Sequence, residues 1–247
     1  MNKNNPNASQ EPPRIFEESV SFNHEASTAL AKNFVANVFS WMVVGLLITG
    51  FVASYAASSG LYAQLVGSGG LMMWVIMLSP FAFIIAMNAG LQKFSATTLT
   101  VLFLAFSGVM GLSLSSVFLV YSLGSITQVF LITAGTFAVM AFAGYTTSMD
   151  LSKLGSLLFM ALIGIIIASI VNFFMQSSMM DFIISVGGVL VFTGLVAYDT
   201  QRIKRIGAGV EYGSSGATKL AILAAVSLYL NFVNLFLFLL RLLGSRD

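Results

Sequence analysis

Seven long apolar stretches follow one another along the chain, and short polar connections separate them. A helix needs about 20 apolar residues to cross the hydrocarbon core of a bilayer, because no lipid-facing backbone group can be left unpaired. The pattern therefore predicts an all-α integral membrane protein with seven transmembrane helices. The predicted spans are residues 34–55, 71–91, 96–119, 126–145, 154–174, 182–198 and 220–243.

The segment before the first span is polar. It contains Pro6, Pro12, Pro13 and four glutamates, and it has no apolar run of the kind that a cleavable secretory signal requires. Such a composition favours disorder. We therefore expect residues 1–28 to form a polar, disordered cytoplasmic tail, and residues 29–247 to form one seven-helix transmembrane domain.

Composition supports the membrane class and excludes several functions. The chain is 57% hydrophobic and only 8% charged, whereas a soluble domain has roughly 25% charged residues. A net charge of +2 with no basic stripe argues against nucleic-acid binding. There is no cysteine, the one histidine is His24 in the polar tail, and no nucleotide-binding or nucleophile motif occurs. We expect neither an enzyme nor a bound cofactor.

The basic residues predict the orientation in the membrane, because cytoplasmic loops are enriched in lysine and arginine. With seven spans, nearly all of them fall on the side of the N-terminus, and only Arg241 and Arg246 lie at the other end. The N-terminus is therefore expected in the cytoplasm and the C-terminus outside. The residues on the N-terminal side are Lys32, Lys93, Lys153, Arg202, Lys204, Arg205 and Lys219.

Asp199 is the first candidate functional residue, because placing an ionisable group in a membrane helix costs free energy and such groups often mark functional sites. It ends the sixth apolar run, just before a basic loop, which places it near the cytoplasmic boundary. It is therefore a functional candidate by default. The alternative is an interfacial carboxylate that pairs with Arg202 one turn further on.

The last span carries a second set of candidates. Ser227, Asn231 and Asn234 are spaced i, i+4 and i+7, so they share one face of an otherwise apolar helix. This face should point into the bundle, where the amides need protein or water partners. The alternative is that these groups form hydrogen bonds which hold helices together.

Other polar and small residues have structural interpretations. Asp150 lies just before the fifth span and can cap the free amides of that helix. The spacing of Ser107, Gly111 and Ser115 in the third span predicts close packing of a neighbouring helix. Pro80 removes a backbone donor from the second span and predicts a kink.

Four segments together resemble the Bax inhibitor-1 family, over essentially the whole stretch from residue 34 to 241. The resemblance implies seven helices with the last one central, and a passive calcium leak pathway that responds to pH; eukaryotic members are regulators of cell death. The segments are Phe39-Ser-Trp-Met42 with the following Gly45-Leu-Leu, Gly144-Tyr-Thr-Thr-Ser-Met-Asp-Leu-Ser-Lys-Leu-Gly155, Tyr198-Asp-Thr-Gln201 and Ser227-Leu-Tyr-Leu-Asn-Phe-Val-Asn-Leu-Phe236.

The resemblance also implies a site of two aspartates, one on each of the last two helices. Asp199 matches the first, but Asn231 stands at the second position. Two adjacent carboxylates can share a proton and switch nearer neutral pH, whereas an amide can instead donate a hydrogen bond to ionised Asp199. We therefore expect a pH response at more acidic pH, or none in the ordinary range, and weaker calcium binding.

The leading hypothesis, whose transport part rests on this resemblance, is a pH-influenced passive pathway for calcium or other cations. The pathway would pass Asp199, a possible calcium or proton site, and a pore or gate face formed by Ser227, Asn231 and Asn234. The alternative is a non-conducting regulator that binds another membrane protein, such as a membrane-anchored ATP-dependent protease, with the polar tail as a handle. The sequence ends in Gly244-Ser-Arg-Asp247, which is no endoplasmic-reticulum retention signal, and we expect a bacterial plasma membrane.

Overall fold

The computed structural model describes residues 14–67, 70–211 and 213–245, and its side chains from residue 29 onward. Within these ranges the chain forms α-helices joined by short connections, and no strand. The helices are α1 Arg14–Ser58, α2 Leu61–Gly67, α3 Gly70–Ala89, α4 Ala96–Leu114, α5 Val117–Val120, α6 Leu123–Thr146, α7 Ser152–Met175, α8 Ser178–Ala208 and α9 Ser215–Leu243.

Seven helical segments of the described chain are long and apolar enough to cross a membrane. They are the Ala29–Ser58 part of α1, then α3, α4 together with α5, α6, α7, α8 and α9. The prediction of an all-α membrane protein with seven spans is confirmed. The separate helices α2 and α5 were not predicted: α2 lies in the connection between the first two spans, and α5 forms the end of the third span.

Two helices, α1 and α8, extend beyond the apolar pattern by ten residues or more. The sixth span, predicted to end at residue 198, continues to Ala208. Its polar last part stays helical because buried Asp199 and Gln201 have hydrogen-bond partners on other elements. The first helix begins at Arg14, twenty residues before the predicted span. Such an extension is possible because each residue added to a formed helix adds one backbone hydrogen bond. The division into a polar tail of residues 1–28 and one transmembrane domain stays a prediction, and residues 1–13 lie outside the described residues.

Serine side chains begin four of the helices. Ser95, Ser122, Ser177 and Ser214 have extended backbones, and each side chain accepts a hydrogen bond from the amide three residues on. Each such cap is worth about 1 kcal/mol, because the first amides of a helix otherwise lack a partner. These caps define where α4, α6, α8 and α9 begin.

The last helix, α9, packs against α8, α1, α6 and α4, and it has the largest buried share of the seven spans. In this core the hydroxyl of Thr49 donates to the carbonyl oxygen of Ser107 at 2.8 Å, and the hydroxyl of Tyr229 lies 2.7 Å from the same Thr49 oxygen. These bonds join α1, α4 and α9. A central position for the last helix stays a prediction.

The small residues of α4 allow the close packing that their spacing predicts. A Cβ added at Gly111 would lie 2.8 Å from the carbonyl oxygen of Thr49 and from Cβ of Val52, so only glycine fits against α1 here. Ser107 and Ser115 are fully buried and turn their hydroxyls back to carbonyls of their own helix. This face of α4 therefore contacts α1 almost backbone to backbone.

Pro80 lies inside α3, which continues on both sides of it. Proline has no amide to offer the carbonyl four residues earlier, which belongs to Ile76. That carbonyl instead accepts hydrogen bonds from the hydroxyl of Ser113 on α4, at 2.7 Å, and from Ser79, at 3.1 Å. The backbone group that proline frees is thus satisfied by a neighbouring helix, and the predicted kink stays a prediction.

Candidate functional site

Asp199 lies inside α8 and turns its carboxylate toward α9. The side chain is only 4% exposed, and nine further residues of helix, about 14 Å, follow it. Its Oδ2 accepts one hydrogen bond from Ser227 Oγ at 2.6 Å and another from Asn231 Nδ2 at 2.8 Å. Three of the predicted site residues, from two helices, therefore meet at a single carboxylate oxygen.

A cavity of about 390 Å³ opens beside this carboxylate, between α3, α8 and α9. Its polar lining comes from Asp199, Ser227, Arg202 and Asn88, and the rest is aliphatic. Asn88 was not predicted as a site residue; the signal that could have found it is an amide in the last turn of the second apolar run. Its Nδ2 donates to the carbonyl of Ile84 in its own helix, which leaves its amide oxygen available to the cavity.

Arg202 does not pair directly with Asp199. Within the described residues, the ion pairs join Asp150 to Arg205 and Asp181 to Arg241. Arg202 is exposed and lines the same cavity, so it attracts the carboxylate through space without contacting it. The interfacial pair that the sequence left open is thus replaced by hydrogen bonds to α9.

Asn234 is not brought to this site. Its Nδ2 donates to the carbonyl oxygen of Leu230, one turn earlier in α9, at 2.8 Å. The other two polar residues of the predicted face reach Asp199, but Asn234 satisfies its donor within its own helix. Its place in a gate stays a prediction.

The donor set around Asp199 suits a weakly held cation. No cluster of three or more acidic, histidine or cysteine side chains occurs in the part of the chain that the structure describes. Calcium prefers six to eight oxygen ligands with several carboxylates among them. Here a cation would meet one carboxylate, the hydroxyl of Ser227 and the amide oxygen of Asn88, with water completing its shell.

A second polar cluster lies just beyond the membrane-spanning part of α7. Asp150 Oδ1 accepts hydrogen bonds from the amide and the hydroxyl of Ser152, at 3.0 and 2.7 Å, and from Arg205 Nη2 at 2.6 Å. The amide belongs to the first residue of α7. Because the guanidinium and the hydrogen bonds favour the charged form, the pKa of Asp150 lies well below its ordinary value of 3.8.

Gln201 fastens the same connection to α8. Its Nε2 donates to the carbonyl oxygen of Met149 at 2.7 Å, and its Oε1 accepts from the amide of Leu151 at 2.9 Å and from Arg205 Nη2 at 2.6 Å. Sequence reasoning missed both Gln201 and Arg205. The available signal was that two of the segments quoted for the family resemblance, 144–155 and 198–201, are rich in polar residues, and the structure places them in contact.

Two glycines bring the neighbouring helices close to α8 beside Asp199. A Cβ at Gly144 would overlap the carbonyl oxygen of Ala197, and one at Gly155 would overlap the ring of Tyr198. Glycine is therefore required at both positions for α6 and α7 to pack against this turn of α8. The helix that carries Asp199, α8, packs against α1, α6, α7 and α9.

Residues 31–247 match the family described as "Inhibitor of apoptosis-promoting Bax1". The inner membrane protein YbhL of Escherichia coli (strain K12) is 45% identical over 216 residues, which cover 87% of this chain and 92% of that protein. An uncharacterized protein of Borreliella burgdorferi is 42% identical and covers 92% of this chain and 98% of its own length. One of Deinococcus radiodurans is 34% identical, with 93% and 98% covered.

Proposed function

Because this chain belongs to the Bax inhibitor-1 family of membrane proteins, we propose that it is a pH-influenced passive pathway for calcium or other cations in a bacterial plasma membrane. Its N-terminus would lie in the cytoplasm, since the basic residues concentrate on that side. A passive pathway carries out no chemical reaction, so the site has only to attract a cation, replace part of its water and release it.

The observation that carries this proposal is a buried carboxylate beside a cavity. Asp199 is 4% exposed, and both hydrogen bonds from α9 go to Oδ2. Oδ1 accepts no hydrogen bond from the described residues and is the oxygen available to a cation. A buried carboxylate attracts a cation over a longer distance than a carboxylate in water does, because little solvent screens its charge.

Ser227 and Asn231 have a positioning role in this proposal. Their two donors fix the direction of the carboxylate and compensate for part of the water that it loses on burial. Arg202 at the cavity wall opposes the accumulation of cations, so a cation would bind weakly there. A leak pathway requires weak binding, since an ion that is held tightly does not leave.

The test is calcium uptake by vesicles that contain the purified full chain and a trapped calcium indicator, across a pH series. Asp199→Asn is expected to lower the flux about tenfold or more, because Asp199 is the one acidic group among the described residues that line the cavity. Asp181→Asn is the matched control, since it makes the same change on the same helix but at an exposed position paired with Arg241. Equal flux in all three proteins would refute the proposal.

A second candidate is a non-conducting regulator that binds another membrane protein, for example a membrane-anchored protease. The observation that favours it is that α1 begins at Arg14, ahead of the membrane-crossing part, which begins at Ala29. Deleting residues 1–28 separates the two candidates. Calcium flux should survive the deletion, whereas binding to a protein through this segment should be lost.

A further inference from the structure

A long groove runs between α1 and α6 on the surface that faces the lipid. Two cavities lie along it, of about 420 and 230 Å³, and both have one wall from α1 and one from α6. The first is bounded by Lys32 and Tyr145, the second reaches Leu47 and Phe130. We call this feature the α1–α6 groove. Since the two helices are antiparallel, the two cavities follow each other along one line.

The groove has a floor because α8 and α9 each pack against both of its walls, whereas α1 and α6 hardly contact each other. Thr200 of α8 reaches the first cavity and Phe232 of α9 reaches the second. Between the two cavities, the rings of Phe39 on α1 and Phe137 on α6 meet edge to face across the groove, with centroids 6.2 Å apart, so an acyl chain that occupies both cavities would lie over this aromatic contact. The groove is therefore a built trough with four helices around it.

The length and lining of the groove fit a hydrocarbon chain. From Lys32 to Leu47 the helix rises roughly 22 Å, which exceeds the about 15 Å of one leaflet's hydrocarbon. Apart from Lys32, Tyr145 and Thr200 at one end, the lining is aliphatic or aromatic. If the groove were empty, the side chains along its walls would lack dispersion contacts. In a bilayer the apolar material that can fill it is lipid.

Only one end of the groove carries charge. Lys32 is exposed, and among the side chains described from residue 29 onward no carboxylate forms an ion pair with it. Lys204 lies nearby, with its Nζ 4.7 Å from the centroid of the Tyr145 ring and donating to the Tyr145 carbonyl. The opposite end, at Leu47 and Phe130, has no charged residue. The groove is therefore basic at the membrane surface and apolar along its depth, which is complementary to an anionic lipid.

We propose that the α1–α6 groove binds one anionic phospholipid, with its phosphate at Lys32 and one acyl chain along the wall of α1. Lys204 adds positive potential from behind Tyr145 without leaving its own hydrogen bond. Basic pockets between spans on the cytoplasmic side are a known way of holding anionic headgroups. This site is separate from the Asp199 cavity, which lies between α3, α8 and α9.

The test uses the full chain in detergent, with added phosphatidylglycerol or phosphatidylcholine, and counts bound lipid by mass spectrometry of the intact complex. The wild type is expected to retain phosphatidylglycerol in preference. Lys32→Gln should weaken that binding about fivefold, since one surface lysine contributes about that much to anionic lipid binding. Lys32→Arg should restore it. Lys153→Gln, an exposed lysine outside the groove, is the matched control and should bind as the wild type does.

Blocking the groove gives an independent readout that does not depend on charge. Ala138 lines the first cavity, and Ala138→Trp should fill it and abolish lipid retention. Val139→Trp places the same bulk one residue away, on an exposed position outside the groove, and should have no effect. Retention of lipid by Ala138→Trp, or equal retention of both lipids by the wild type, would overturn the proposal.

A second copy of the chain is the competing occupant, and the sequence offers a direct way to detect it. The chain has no cysteine, so Ala138→Cys provides a single thiol in the groove. With lipid bound, this thiol should react with a lipid-soluble reagent and should not form an intermolecular disulfide in vesicles. Efficient disulfide formation between two chains would show a protein in the groove and would overturn the lipid assignment.

Discussion

Asp199 lies in α8 and Asp150 contacts α8, yet the two aspartates differ in burial and in the kind of partner that binds their carboxylates. Asp199 is buried in α8 and receives its hydrogen bonds from the neutral side chains of Ser227 and Asn231. Asp150 is two-thirds exposed in a connection and pairs with the guanidinium of Arg205. The carboxylate of Asp199 is stabilised by neutral donors of a neighbouring helix, whereas that of Asp150 is stabilised by an exposed guanidinium.

The difference in burial between the two carboxylates indicates where a charge can have a strong effect in this molecule. Water and salt screen the exposed pair, so its contribution is small and mainly fixes the connection between α6 and α7. The buried carboxylate is weakly screened, and each missing partner leaves it with an uncompensated loss of hydration. Changes around Asp199 should therefore have large effects, and changes around Asp150 small ones.

The largest effect is expected when Asp199 loses its amide donor. Asn231→Leu should lower the free energy of unfolding by about 2–3 kcal/mol, because a hydrogen bond to a charged group is worth about that much. Chemical denaturation in detergent micelles measures it. Asn234→Leu is the matched control on the same helix, since its amide bonds only the carbonyl of Leu230. Equal losses in the two variants would contradict the comparison.

A second change converts the neutral partner into a charged one. Asn231→Asp places two carboxylates in contact, which can then share a proton. We expect the pH response of calcium flux to move toward neutral pH by on the order of one pH unit, equivalent to about 1.4 kcal/mol. The measurement is flux into vesicles across a pH series. If both the flux and its pH profile stayed as in the wild type, this account of the site would be wrong.

A smaller effect is expected at the hydroxyl donor. Ser227→Ala should cost about 1 kcal/mol, since the half-buried position lets water from the cavity replace part of the lost hydrogen bond. Thermal unfolding in micelles measures it. Ser185→Ala is the control, because that hydroxyl bonds only the carbonyl of Asp181 in its own helix. A greater loss at Ser185 than at Ser227 would argue against a stabilising contact with Asp199.

The smallest effect is expected at Asp150. Because its pKa is lowered in the folded state, its contribution to stability is complete above about pH 3.8 and is lost only as pH falls through the lower folded value. Asp150→Asn should therefore leave the shape of the flux profile between pH 5 and 8 unchanged, and it should lower thermal stability less than Ser227→Ala does. A profile that loses its pH response in this variant would assign the switch to the exposed carboxylate.

The apolar pattern predicted the number of spans and the fold class because a bilayer imposes a minimum length on each apolar run. It could not predict where α8 ends. Asp199, Gln201 and Arg202 lower the hydropathy after residue 198, but the first two are buried by contacts with α9 and with the α6–α7 connection. Helix ends that depend on tertiary partners do not show in a single helix's pattern.

The same limit applies to the candidate site. The i, i+4, i+7 spacing identified the polar face of the last span, and two of its three members contact Asp199. Spacing alone does not tell which donor bonds across to another helix and which, like Asn234, bonds back to its own. The contact of Asp150 with Arg205 joins residues 55 positions apart, and only the folded chain brings them together.

The bonds among Tyr229, Thr49 and Ser107 have a mechanical consequence. The hydroxyl of Thr49 donates its one proton to the carbonyl of Ser107, so the hydroxyl of Tyr229 must donate to Thr49. The rings of Phe103 and Phe106 pack against Tyr229 and shield these hydrogen bonds from water. Separating α1, α4 and α9 would strand two hydroxyls in a dry region. These three helices should therefore move as a single body, and a change in the width of the cavity beside Asp199 would require α3 to move against it.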